Sequence, residues 1–239
     1  MKLKNNCMRI CAALILAASA LHHPAAHAAT TAAPDSRGPR VSEISESEFA
    51  EAFARRSSYE AQADTVTSPR ICGMIREKMI ERLDGMDDSD TAAIYDFRDP
   101  DSDCPVIRFP FGVLAALVYI THEEYEYWFF RETDCRFAAQ THTWPDYGGV
   151  RHCVSKDGYL ATWQNRGYDS KADISVYRLR DGGVTPVARY SDVEITNWEE
   201  VCWGEDNALY VRGSYYNDEE DGPSDETSVG KCLKFTLPS

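Results

Sequence analysis

The acidic and histidine residues at positions 122–126 are the first candidates for chemistry in this sequence. His122-Glu123-Glu124-Tyr125-Glu126 partly matches a zinc motif in which two histidines lie one helical turn apart. Glu126 stands where the second histidine is needed. The aromatic residues that follow favour a strand, which places neighbouring side chains on opposite faces. We therefore expect a polar edge strand here and no metal.

A second candidate is the acidic run at residues 217–226, which holds six carboxylates. Glu219, Asp221 and Asp225 are the calcium candidates, because carboxylate oxygens are the ligands that this ion prefers. Ser228 replaces the bidentate glutamate that would close an EF-hand loop. A solvated acidic loop and a docking surface for a basic partner are the alternatives. We predict no metal and no cofactor.

No pattern of a known nucleophile or cofactor site occurs in the chain. The Gly-x-Ser-x-Gly, Walker and Rossmann motifs are absent from the sequence. His142, Asp146 and His152 could form part of a triad only through the fold, and their spacing gives no support for one. We therefore predict that the protein is not an enzyme.

The first 28 residues have the features of a secretory signal peptide. Lys2, Lys4 and Arg9 precede an apolar run of about a dozen residues, which is too short to span a bilayer of roughly 30 Å. Ala26-His27-Ala28 then supplies the small residues that a signal peptidase requires. We expect cleavage after Ala28, export to the periplasm and no membrane span in the mature chain.

Cleavage would leave a strongly acidic chain with an even number of cysteines. The full chain has 25 basic and 39 acidic residues, and removal of three basic residues gives a net charge of −17. Such a charge argues against a nucleic-acid partner. Six cysteines in an oxidising compartment predict three disulfides. A sequential pairing would join Cys72 to Cys104, Cys135 to Cys153 and Cys202 to Cys232.

Residue patterns predict a short helical segment followed by many strands. Residues 29–41 are expected to form a flexible leader and residues 42–239 one domain, with helices in 42–85. Ser45 and Glu48 form a capping box, and a second helix is expected from Ser68 to about Gly85. Residues 104–239 predict an antiparallel β-meander, and residues 112–120 are apolar enough for a buried strand or a short helix. The fold class is therefore α+β and mainly β, with a propeller-like or sandwich arrangement.

Three further patterns concern the packing of this meander. Cys153-x3-Asp157-Gly158-x-Leu160 is echoed by Cys202-x3-Asp206-Asn207-x-Leu209, 49 residues later. Such a period is typical of propeller blades, although two similar hairpins arising by chance are an equal alternative. Pro186 predicts an edge strand or a bulge. Three of the five tryptophans are expected in the core: Trp128, Trp144, Trp163, Trp198 and Trp203.

The segment from Gly148 to Tyr177 resembles a known family. Gly148-Gly149-Val150, Ser155-x-Asp157-Gly158, a polar loop and Ile174-Ser-Val-Tyr177 are similar to periplasmic immunity proteins that neutralise peptidoglycan amidase effectors of type VI secretion. The resemblance covers about ninety residues, from Gly148 to Leu237, and the order of features along the chain also matches, including an Asp134-Cys135-Arg136 step before that segment. In that family a β-rich domain binds the effector, and a projecting loop occludes its active site. No counterpart exists for the helical segment 42–85, and the loop of this chain carries more charge.

The resemblance implies a partner-binding loop at residues 164–171. Carried over by position, the contacting residues would be Arg166, Tyr168, Asp169 and Ser170, with Ser170 nearest the catalytic centre of the effector. Arg and Tyr are also residue types that interfaces favour. The expected function is an inhibitor of a cell-wall hydrolase effector. The alternatives are a secreted envelope ligand-binding protein and a cell-wall hydrolase that uses acids such as Asp99, Asp101 or Glu123.

Overall fold

Three helices and three short strands form the described N-terminal part of the fold. The computed structural model describes residues 40–84, 105–121, 124–141, 144–145, 150–163, 172–193, 195, 197–216 and 228–238. The elements of the N-terminal part are β1 (Arg40–Glu43), α1 (Glu46–Ala54), α2 (Arg56–Tyr59), β2 (Glu60–Ala61), β3 (Asp64–Thr65) and α3 (Pro69–Leu83). The Ser45 side chain accepts a hydrogen bond from the Glu48 amide, which confirms the predicted cap of α1. The helix predicted after Ser68 is α3, and Pro69 occupies its first turn.

The rest of the described chain forms antiparallel strands that pair mostly with their neighbours in sequence. Their bounds are β4 (Val106–Phe109), β5 (Val113–Thr121), β6 (Glu124–Arg131), β7 (Phe137–Gln140), β8 (Trp144–Pro145), β9 (Arg151–Ser155), β10 (Tyr159–Trp163), β11 (Ala172–Arg180), β12 (Gly183–Val193), β13 (Asn197–Trp203), β14 (Leu209–Tyr216) and β15 (Ser228–Thr236). The α+β, mainly β class with an antiparallel meander is therefore confirmed.

The strands form three sheets. The first sheet has the order β3-β4-β5-β6-β7, with β8 also paired to β6; the second is β12-β11-β10-β9-β2; the third is β1-β15-β14-β13. The N-terminal strand β1 thus completes the last sheet by pairing with β15. Arg40 and Val41 belong to this strand, so the predicted leader of 29–41 extends two residues too far. Exposed polar residues dominate β1, and its sequence therefore gave little sign of a strand.

The sheets stack face to face, and helices cover two of their faces. Helix α3 packs on the first sheet around Ile75 and Met79. A second core joins the first and second sheets around Phe129 and Leu160. A third joins the second and third sheets, and α1 packs on the other face of the third sheet. An apolar core therefore lies between each pair of neighbouring layers: α3 and the first sheet, the first and second sheets, the second and third sheets, and the third sheet and α1.

This stacking explains the continuous apolar run at residues 112–120. Leu114 and Ala116 face α3, whereas Val113 and Ala115 face the second sheet. Because both faces of β5 are buried, its sequence lacks the polar alternation of a half-exposed strand. The sequence is compatible with either a buried strand or a short helix at residues 112–120, and the structure shows a strand.

The internal echo marks equivalent hairpins in two sheets. Cys153 lies on β9, the first long strand of the second sheet, and Cys202 lies on β13 of the third. Leu160 and Leu209 are both fully buried, and each faces the preceding sheet. Pro186 lies on β12, an edge strand that has a register shift beside it, so both readings of this proline are confirmed. Of the tryptophans, four are buried and Trp144 has no described side chain.

The connections at one end of the sheets are short turns. They span 110–112, 132–136, 156–158, 181–182 and 204–208. The Gly182 amide donates to the Phe111 carbonyl, which joins the turns of the first two sheets. Tyr59 links Lys156 to Glu205 and so joins the turns of the second and third sheets. We call this the turn end, and the opposite end, where β10 finishes at Trp163 and β11 begins at Ala172, the loop end.

Two of the sequential disulfide pairings are wrong. All five described cysteines are free thiols: Cys72, Cys135, Cys153, Cys202 and Cys232. Strand β14 lies between Cys202 and Cys232, so two strand spacings of about 4.8 Å exceed the Cα separation that a disulfide allows. Cys135 and Cys153 lie in different cores, on opposite sides of the first sheet. Cys104, the predicted partner of Cys72, lies outside the described residues.

None of the helices described here is long and apolar enough to cross a membrane. The segments predicted as a signal peptide, 1–28, and as most of the leader lie outside the described residues. The cleavage after Ala28 therefore stays a prediction.

Candidate functional site

The predicted partner-binding residues follow the central strand of the second sheet. Arg166, Tyr168, Asp169 and Ser170 lie outside the described residues. The chain leaves the described part at Trp163 and returns at Ala172, on two adjacent inner strands. Trp163 pairs with Ile174 across these strands, and both side chains are buried. Both attachment points are therefore held by a packed core.

An open groove of about 610 Å³ lies next to this attachment point, between β9 and β13. Strand β2 covers only Val154 and Ser155 of β9, and β13 is the outer strand of its sheet. The groove thus runs along two strand edges. It is lined by Phe53, Arg56, Glu60, Val150, Arg151, His152, Cys153, Trp163, Glu199, Glu200 and Val201.

Side chains bridge the two strand edges and fix their separation. The Trp203 indole Nε1 donates to the Cys153 carbonyl at 3.1 Å. The Trp203 backbone amide donates to Glu60 Oε1 at 3.0 Å. Arg151 Nη1 reaches the Trp198 carbonyl at 3.5 Å. Side chains therefore bond to backbone N–H and C=O groups at these edges, which an additional strand could otherwise pair with.

Glu60 is the half-buried acid of this groove. Burial raises the pKa of its carboxyl, while the amide of Trp203 and the charge of Arg56 act in the opposite direction. Arg56 lies over the Phe53 ring, 3.9 Å from its centre, and donates to the Phe53 carbonyl. Glu60 therefore anchors β13 to β2, and its hydrogen bond to the Trp203 backbone is its principal contact.

His152 lies on the face of the second sheet that packs against the first sheet. Its Nδ1 is 3.1 Å from the Tyr127 hydroxyl, which also donates to the Val150 carbonyl. The imidazole packs edge-on against Phe109, with ring centres 5.1 Å apart. Burial lowers the pKa of His152, so the imidazole is neutral at neutral pH.

The stability of the protein should fall as the pH drops below about 6.5, the ordinary pKa of histidine. Unfolded chains then bind a proton at His152 that the folded protein binds only at lower pH, so acid favours unfolding. Measuring the free energy of unfolding by urea denaturation between pH 7.5 and 5 tests this sign.

The matched variant for this test is His152→Phe, which keeps a ring in the cavity but removes the titration. We expect a smaller loss of stability on acidification in this variant. The raised pKa of Glu60 has the opposite effect on stability, and it has this effect in both proteins. The folded protein holds the Glu60 proton to higher pH than the unfolded chain does, so acidification favours folding at this group. Equal pH dependence in the two proteins would contradict the role of His152.

The cysteines beside the groove are protonated thiols. Burial raises the pKa of Cys153 well above its ordinary value and that of Cys202 to about 12. Cys153 and His152 are consecutive on a strand, so their side chains point to opposite faces of the second sheet. This geometry does not form a Cys-His nucleophile pair.

The acidic rim of the groove belongs to a charge network on the third sheet. Arg212 Nη2 lies 2.6 Å from Glu200 and its Nη1 lies 2.7 Å from Glu46 of α1. Glu46 also accepts a hydrogen bond from the Cys232 thiol at 2.9 Å. These contacts hold α1 against the third sheet, so that the groove has a fixed wall.

The metal candidates gain no support from the described residues. Glu126 lies on a strand, β6, as its neighbours predict, but β6 pairs with β5 on one side and with β7 and β8 on the other, so the predicted edge strand is wrong. Glu126 is buried and accepts a hydrogen bond from Trp128 Nε1. No cluster of three metal-binding side chains occurs within the described ranges. His122, Glu123 and the calcium candidates Glu219, Asp221 and Asp225 lie outside them, as do His142 and Asp146.

Sequence reasoning missed the residues that build the groove. Glu60, Arg56 and Trp203 meet only because β2 is a strand of two residues that brings Glu60 to the edge of β13. No local pattern could indicate this contact, since it joins residues that are 143 positions apart. The echo at Cys153 and Cys202 was the one sequence feature that pointed to these two strands.

Comparison of the chain with family models, with curated proteins and with solved structures found no match. The resemblance to immunity proteins therefore stays a prediction that rests on the residues quoted above.

Proposed function

We propose that this protein is a periplasmic inhibitor that binds a cell-wall-degrading effector of the amidase type and occludes its active site, as immunity proteins of type VI secretion do. The observation that carries the proposal is the rigid attachment of residues 164–171 at the loop end. A loop that must enter a cleft binds more tightly when its ends are already ordered. Trp163 and Ile174 provide that order here.

The two ends of the sheets differ in a way that supports a binding face. Turns of two to five residues close the turn end. Longer connections of eight and eleven residues, 164–171 and 217–227, start from strands at the loop end, beside shorter ones at 122–123 and 194–196. Binding residues in proteins are commonly carried on such connections above a rigid scaffold. The groove between β9 and β13 opens beside Trp163 and adds concave surface to the same face.

Charge and chemistry favour a binder over a catalyst. His152 is neutral and packs against Tyr127 and Phe109, and Cys153 and Cys202 are protonated thiols. The net charge of −17 that the mature chain would have attracts basic partners over long range. The proposed contacts with the effector are Arg166, Tyr168, Asp169 and Ser170. The proposed partner is a protein and not a nucleic acid, and binding requires no cofactor.

Affinity capture with the mature chain 29–239 as bait tests the proposal. Extracts of bacterial envelope and secreted fractions should yield one cell-wall hydrolase in near-equal amount. Tyr168→Ala is expected to weaken this complex about 30-fold or more, because buried tyrosines are frequent hot spots. Binding is then quantified with the purified hydrolase by calorimetry.

The second test variant is Ser170→Ala, and its matched control is Ser42→Ala on β1. Both substitutions remove only a hydroxyl group, and Ser42 is exposed at the edge of the third sheet opposite β13. Only Ser170→Ala should weaken the complex. A complex that is unaffected by Tyr168→Ala and by Ser170→Ala would overturn the proposed site, and the absence of a hydrolase partner would overturn the function.

A further inference from the structure

A second groove, with a volume of about 360 Å³, lies at the turn end, where the first and second sheets meet. Its walls are the β6–β7 turn and the β11–β12 turn. Three arginines line it, namely Arg131, Arg136 and Arg180. Such a concentration of positive charge stands out in a chain that has 39 acidic and 25 basic residues.

Arg131 lines this groove, and its positive charge is neutralised by Asp134. Its aliphatic carbons lie so close to Gly182 that a Cβ there would approach Arg131 Cγ to 2.6 Å. Its guanidinium bonds both oxygens of Asp134, each at 3.0 Å. Asp134 also accepts the Arg136 amide at 3.1 Å. Hydrogen bonding from that amide and the charge of Arg131 keep the pKa of Asp134 low, so the pair stays ionised.

The other two guanidinium groups have little compensation. Among the described residues, the Arg136 guanidinium forms neither a hydrogen bond nor an ion pair. Within the part of the chain that the structure describes, the only ion pair of Arg180 is with its neighbour Asp181, at 3.4 Å, and both side chains are more than four-fifths exposed. An exposed pair of this kind contributes little energy and leaves the arginine available.

We propose that this groove binds a small oxyanion, a carboxylate or a phosphate group, between Arg136 and Arg180. Arginine presents paired N–H groups that match both kinds of oxyanion. Phe137, Ala138 and Val184 line the same groove, so a ligand with a short apolar portion would fit beside its charged group. The volume is in the range of small-molecule sites. This site lies at the end opposite the proposed partner-binding loop and does not depend on it.

Isothermal titration calorimetry on the full mature chain tests the site. One series uses inorganic phosphate and the other uses succinate, both at a constant ionic strength of about 0.1 M so that general screening stays fixed. We expect saturable binding to one site in at least one series. Binding of phosphate alone would assign a phosphate ligand, and binding of succinate alone would assign a carboxylate ligand.

Substitutions then locate the ion. Arg136→Gln and Arg180→Gln should each weaken binding about tenfold, the usual effect of losing a hydrogen bond to a charged group. The control is Arg70→Gln, which removes the same single charge from an exposed position on α3. No saturable binding in either series, or equal weakening in the control, would overturn the proposal. Thermal melts of each variant establish that it is folded.

Discussion

Trp203→Ala should reduce the free energy of unfolding by about 3–5 kcal/mol, the usual cost of removing a buried tryptophan side chain. Trp203 is fully buried in the core between the second and third sheets. Its ring packs on Tyr159, with centres 6.0 Å apart, and its indole N–H donates to the Cys153 carbonyl. Alanine would leave a cavity and an unpaired carbonyl at the joint between two sheets. Urea denaturation followed by far-ultraviolet circular dichroism measures the loss.

Trp203→Phe separates packing from hydrogen bonding at this joint. Phenylalanine fills most of the cavity but cannot donate to Cys153, so we expect a loss of about 1–3 kcal/mol, the cost of an unsatisfied buried acceptor. The backbone bond from residue 203 to Glu60 remains in both variants. A loss below 1 kcal/mol for Trp203→Ala would mean that the second and third sheets do not depend on this contact.

Gly158→Ala should reduce the free energy of unfolding by about 2–3 kcal/mol, because strain and steric conflict act together. Gly158 has a φ of +85°, in the region that side chains disfavour. A Cβ there would lie 2.7 Å from the Leu179 carbonyl oxygen and 3.0 Å from the Phe111 ring. The Leu179 amide also donates to the Gly158 carbonyl, so the two backbones cannot separate without losing that bond.

Gly73→Ala is the matched control, since the same atoms are added at a helical position. Nothing lies within 4 Å of the added Cβ. Alanine should stabilise α3 by up to about 1 kcal/mol, because it loses less backbone entropy than glycine when the helix forms. If both variants changed stability in the same direction, the close approach of the turns at Gly158 would be contradicted.

Much of the secondary structure was predictable because local patterns determine it. The spacing of Ile75, Met79 and Leu83 gives the buried face of α3. Turns such as Lys156-Asp157-Gly158 separate the strands, and the positive φ of Gly158 explains why glycine is there. The order of the strands in each sheet then follows from the short connections.

The features that sequence could not predict depend on contacts between distant residues. Strand β1 pairs with β15, almost two hundred positions away, and its polar sequence gives no apolar alternation. Sequential pairing of cysteines failed because neighbours in sequence, such as Cys135 and Cys153, lie in different cores. The groove at Glu60 likewise exists only after the second and third sheets have stacked.

The proposed inhibitor and the oxyanion site use opposite ends of the same scaffold. The loop end would contact a large protein partner, whereas Arg136 and Arg180 at the turn end would bind a small ion. Each proposal can therefore be contradicted without affecting the other. Loss of ion binding in Arg136→Gln should leave hydrolase binding unchanged.

Titration of the captured hydrolase with the mature chain is the most direct test of the proposed function. The hydrolase is held at a concentration well above the dissociation constant, and the release of soluble fragments from purified peptidoglycan is measured. The inhibitor proposal predicts that activity falls linearly to zero at one equivalent of the wild-type protein, and that Tyr168→Ala needs a large excess. Full activity in the presence of about tenfold excess of the wild-type protein would contradict the proposal.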